Sequence, residues 1–170
     1  MAAKTGTYTL INNTTLGSTQ SAVTFSSIPA TYTDLVLVCS LIGTASTSAD
    51  VQFNGDTGSN YSYTVLDGGS GTASTLRQLN TTRTQLVGWS SNFGLSTSPS
   101  PAIMQINDYS NTTTFKPVLV RSTAYGASTS CVDIFSGLWR NTSAINSITI
   151  NASSFASGST FELYGIEAAR

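Results

Sequence analysis

A chain of 170 residues is long enough for one domain that removes roughly two-thirds of its unfolded surface from water. It holds no histidine and seven Lys and Arg against eight Asp and Glu, so it lacks both the imidazole of Ser/His/Asp and Cys/His catalysis and a basic surface for nucleic acid. Only 9% of its residues are charged, while serine and threonine number 27 each; hydroxyls and amides must therefore keep the surface wet, and a net charge of −1 favours association over dispersal.

In chain order, short runs of β-branched and aromatic residues are separated by Gly, Asn, Asp, Ser and Pro, with no sustained helical period. Strands are predicted at Thr7 to Ile11, Ala22 to Ser26, Tyr32 to Ile42, Asp50 to Asn54, Tyr61 to Leu66, Gln85 to Trp89 and Ala102 to Asn107. Further strands follow at Phe115 to Ala124, Cys131 to Arg140, Ile145 to Asn151 and Thr160 to Ile166. About ten strands in one domain, with 1–6 and 167–170 as short terminal segments, predict an all-β, antiparallel β-sandwich of jelly-roll type.

The opening residues Met1 to Tyr8 lack an apolar signal region, and no run approaches the about 18 apolar residues of a membrane span. Synthesis in the cytosol, with no membrane partner, is the expectation. Cys39 and Cys131 lie on apolar strands and read as buried thiols in preference to a disulfide. Asn54 to Gly58 and Asp67 to Gly71 supply residues that tolerate positive φ and read as surface loops. Pro99 and Pro101 stand where a missing amide donor does least harm, and Pro117 marks an edge or a bulge. The hydroxyl-rich stretch from Ser90 to Ser100 reads as a long loop or an arm that orders on contact.

Two strands are apolar on both faces. Leu35, Leu37, Cys39 and Leu41 share one face, and Val36, Val38 and Ile42 the other; an antiparallel sheet usually wets one side, so the second set implies a cover, either another subunit or the strand's own loops. Val36→Asp or Val38→Asp is then expected to leave a folded monomer. From Cys131, Val132, Ile134 and Leu138 point one way, as the main face, while Phe135 and Trp139 point the other. Large aromatics off the main face are contact candidates, and Trp89, Trp139 and Arg140 join Val36, Val38 and Ile42 as expected contact residues because Trp and Arg dominate interface energetics. Trp139 alternatively fills the core.

Carboxylate chemistry is the remaining enzymatic route, since glycoside hydrolysis needs two acids across a sugar-sized cleft. Asp34, Asp50, Asp56, Asp67, Asp108 and Asp133 mostly sit at strand ends or turns, where Asp bonds its own backbone, and turn formation is the preferred reading. The segment Asn54 to Asn60 loosely resembles a calcium loop but lacks the closing bidentate acid; a tight hairpin is preferred. Tyr8, Tyr61, Tyr63, Tyr109, Trp89 and Trp139 are the rings available for stacking on sugar, packing being the more ordinary use. No cofactor or metal is expected.

Five segments resemble motifs of small structural proteins from tailed bacteriophages, of the cyanophage and marine-phage type. They are Phe25-Ser26-Ser27-Ile28-Pro29 with Tyr32-Thr33-Asp34-Leu35; Phe53-Asn54-Gly55-Asp56 with Gly58 and Asn60-Tyr61-Ser62; Ile106-Asn107-Asp108-Tyr109 with Lys116; Gly137 to Asn146; and Phe161 to Ile166. The resemblance implies a non-enzymatic virion protein: a decoration (cement) protein outside the head, or a β-domain of a tail fibre that binds a receptor or glycan. Fibres generally add an attachment region and a trimeric stalk, whereas this sequence runs almost directly from Met1 into strand-like residues and ends at Arg170, four residues after the last predicted strand, so decoration is the expectation. Expected partners are the major capsid protein and other copies of the chain, a trimer before a dimer. The expected location is the outer capsid surface, after assembly in the host cytoplasm.

Overall fold

The computed structural model describes residues 7–69, 71–89, 94–125 and 130–167; the terminal segments, Glu167 excepted, and part of the hydroxyl-rich stretch lie outside them. Twelve strands are present among the described residues: β1 (Tyr8–Thr15), β2 (Gln20–Phe25), β3 (Asp34–Leu41), β4 (Ala49–Phe53), β5 (Tyr61–Gly69), β6 (Thr72–Thr81), β7 (Thr84–Val87), β8 (Ser100–Ile106), β9 (Lys116–Tyr125), β10 (Ser130–Trp139), β11 (Ile148–Phe155) and β12 (Thr160–Ile166). They form an eight-stranded sheet in the order β1-β12-β3-β8-β9-β10-β5-β6 and a four-stranded sheet in the order β2-β11-β4-β7. All pairings are antiparallel, and one cluster of buried side chains joins the sheets into a sandwich.

Aromatic rings tie the layers together. Phe53 on β4 meets Tyr61 on β5 and Trp139 on β10 at centroid distances of 6.1 and 5.6 Å, and Phe155 on β11 meets Phe161 on β12 edge-on at 5.2 Å. Such pairs add about 0.5–1.5 kcal/mol each beyond the area they bury. Tyr32 lies so close over the backbone of β12 that a Cβ at Gly165 would stand 2.3–2.5 Å from its ring carbons. Glycine there is a steric requirement.

Four expectations are corrected. β6 has no counterpart among the predicted strands: its described side chains are exposed or half-buried, because it is the edge of a sheet wider than its partner layer, so no apolar alternation marks it. Asp67 to Gly69, read as part of a loop, belong to β5, and Asp67 is buried; the reversal comes at Gly71, with φ +76°. Pro117 sits within a central strand, yet the β8–β9 ladder ends at Val118, so the missing donor costs no bond on that side. On β10 the inward face is the aromatic one: Phe135 and Trp139 are core residues, whereas Val132 and Ile134 face solvent.

Candidate interaction surface

Register assembles the outer face of the eight-stranded sheet from strands distant in sequence. Val38 pairs with Ile103, Ile103 with Arg121, Arg121 with Ile134, Ile134 with Leu66 and Leu66 with Thr75. Side chains opposite one another in a ladder share a face, so these six form one row across β3, β8, β9, β10, β5 and β6. At 4.7–4.9 Å per strand the row is about 24 Å long. Leu119 and Val132 flank it on neighbouring rows.

The row is open to solvent. Leu66 is 50% exposed and Val132 58%, with Ile134 and Leu119 also exposed and Val38 and Ile103 half-buried. Between β8, β9 and β10 the surface dips into a hollow of about 250 Å³ lined by Pro101, Ile103, Arg121, Thr123, Val132 and Ile134. Arg121 is exposed and forms no ion pair among the described residues. Scattered exposed apolar side chains are ordinary; here Ile103, Ile134, Leu66 and Val132 lie together around Arg121 on one face.

The six contact residues expected from sequence do not gather on one surface. Val36 and Val38 do share the outer face of β3, but Val36 is buried, flanked in register by Tyr164 on β12 and Gln105 on β8. An Asp at Val36 would therefore disturb folding as well as contact, which corrects the expectation of a cleanly folded variant. Ile42 lies beyond β3, where its carbonyl accepts from the Ala156 amide at 2.7 Å and its amide donates to Ser159 Oγ at 3.0 Å. Trp89 packs partly against the core. Trp139 is 1% exposed, so its ring offers a partner almost no surface.

Trp139 and Arg140 instead brace the turn from Asn54 to Asn60. Trp139 Nε1 donates to Asp56 Oδ2 at 2.7 Å, and the Gly58 amide donates to Asp56 Oδ1 at 2.8 Å. Asn60 Nδ2 reaches both carboxylate oxygens at 2.9 and 3.2 Å. Arg140 Nη2 donates to Ser59 O at 2.6 Å and Asn80 Oδ1 at 2.8 Å. N–H donors thus occupy the carboxylate that a calcium ion would need, which favours the hairpin reading of this segment. Tyr61, Tyr63 and Tyr109 are buried, while Tyr8 is exposed. Asp34 and Asp108 meet at a turn, where Asp34 Oδ1 accepts from the Asp108 amide at 2.7 Å. Asp50 pairs with Arg83 at 3.0 Å. No helix among the described residues is long and apolar enough to cross a membrane.

What sequence reasoning missed is the row itself. Ile103 and Ile134 carried an alternation signal, but nothing in it said which parity faces out. Searched against family models and curated proteins, the chain matches none.

Proposed function

We propose that this chain is a structural protein of a phage virion, a decoration protein that seats the outer face of its eight-stranded sheet against the capsid. The observation that carries the reading is the exposed apolar row of Val38, Ile103, Ile134 and Leu66 on a chain with net charge −1. Its partners are the major capsid protein and other copies of the chain, with a trimer as the assembling unit and the outer capsid surface as its location. Several modest contacts made at once give slow detachment. Apolar contact also tolerates changing salt, because little of it is ionic.

A jelly-roll reading of the sandwich supports this. The order β1-β12-β3-β8 opposite β2-β11-β4-β7 is the arrangement two Greek keys produce, with β5–β6 and β9–β10 as added pairs that widen one sheet. Jelly rolls serve in capsid and in lectin domains alike. A host-facing, glycan-binding role is the second reading, favoured by a polar hollow of about 280 Å³ on the four-stranded sheet, lined by Thr47, Ser48, Asp50, Arg83, Asn151 and Ser153.

The test charges the row where it is most exposed. Leu66→Asp/Ile134→Asp is expected to keep the wild-type circular dichroism spectrum and to lose binding to heads stripped of decoration. Undiminished coating by that variant refutes the reading. Binding of the wild type to host glycans but not to heads selects the second one.

A further inference from the structure

The inner face of the eight-stranded sheet carries a polar group that the outer-face reading does not use. Asp67 on β5 and Asp133 on β10 are direct register partners, and Ser122 on β9 is the partner of Asp133 on its other side. Cys131 lies two residues before Asp133, on the same face. All four are interior: Asp133 is 0% exposed and Asp67 3%, with Cys131 and Ser122 also buried. One carboxylate oxygen of each Asp and the Cys131 sulfur lie within 4.8 Å of one another.

Two side-chain hydrogen bonds reach this group. Cys131 Sγ donates to Asp133 Oδ2 at 3.5 Å, and Ser74 Oγ to Asp67 Oδ2 at 3.2 Å. Asp67 Oδ1, Asp133 Oδ1 and Ser122 Oγ have no partner among the described residues. Two adjacent carboxylates away from water need a compensating positive charge. A cation held by the two carboxylates and the thiol sulfur supplies that charge.

We infer that Asp67, Cys131 and Asp133 form a binding site for a zinc-class transition metal ion, stapling β5 to β10. One sulfur and two carboxylates suit zinc, which takes thiolate and carboxylate together in a tetrahedral shell. Calcium and magnesium call for six or more oxygens, and thiolate suits neither. Binding releases the thiol proton and any proton the carboxyls share, so the ligands meet the ion as thiolate and carboxylates. A hollow of about 280 Å³ bounded by Gly68, Ala124, Tyr125, Ser130, Cys131 and Val132 gives the ion a way in.

The test uses the whole chain, stripped with chelator and titrated with cobalt(II) and then zinc chloride. Expected are a near-ultraviolet thiolate-to-cobalt band that saturates at one equivalent and is displaced by zinc, and a thermal midpoint about 5–10 °C higher at a hundredfold excess of zinc over its Kd. Cys131→Ser removes the band, Cys39→Ser leaves it, and Asp133→Asn weakens zinc binding at least tenfold. A wild-type protein with no cobalt band and an unmoved midpoint overturns the assignment, as does a band that survives Cys131→Ser.

Discussion

Asp56→Ala probes how the Asn54–Asn60 turn is locked to the core. The substitution removes the acceptor from the Trp139 indole N–H, a 2.7 Å bond inside a residue that is otherwise buried, and frees the Gly58 amide and Asn60. Losing a bond to a charged acceptor costs about 1.5–3 kcal/mol. At about 2–4 °C per kcal/mol for a chain of this size, the midpoint should fall by about 3–12 °C. The assay is thermal and urea unfolding of Asp56→Ala, Trp139→Phe and the double variant. Coupling of about 1 kcal/mol or more is expected, and coupling under about 0.5 kcal/mol, the level of independent sites, refutes the reasoning. A pH arm checks the sign. Partial desolvation pushes the Asp56 carboxyl up, but the donors from Trp139, Asn60, the Gly58 amide and Asn141 outweigh it, and its net displacement is downward. A depressed folded value means a contribution fully present above the unfolded carboxyl range and lost as pH falls through the folded value. Asp56→Asn should therefore flatten the acid limb of the stability curve.

Gly165→Ala sets a Cβ against the Tyr32 ring at 2.3–2.5 Å and should destabilise by about 1–3 kcal/mol, with Tyr32→Ala in the same background recovering part of the loss in urea; full additivity of the two would argue against the contact. At Cys39, burial and then the nearby Glu162 charge push the thiol far up. In Cys131→Ser protein, the remaining thiol should react with a disulfide reagent at neutral pH only at the rate of unfolding, and prompt labelling would contradict its placement.

Most strands were legible because period-2 alternation is printed in the residues themselves: Leu35, Leu37, Cys39 and Leu41 point into the core as their spacing says. β6 was not, because on this edge strand Leu76 packs against the core while the other described side chains are exposed or half-buried, so no alternating run of apolar residues marks it. Asp67 was misread because Asp-Gly-Gly carries a turn signature, and only the pairing of β5 with β10 shows that the strand continues past it.

Composition and alternation determined that this is an all-β chain with two antiparallel faces to each strand and little charge to keep it apart from others. They did not determine which face of β10 is inside, since Val132 and Ile134 are as apolar as Phe135 and Trp139. The two sides of a strand are equivalent until another sheet covers one, and that choice belongs to the tertiary structure. By packing the aromatic side against β4 and its neighbours, the fold left the aliphatic side in water. The same pairing brought Asp67 and Asp133 from distant parts of the chain into one buried pair.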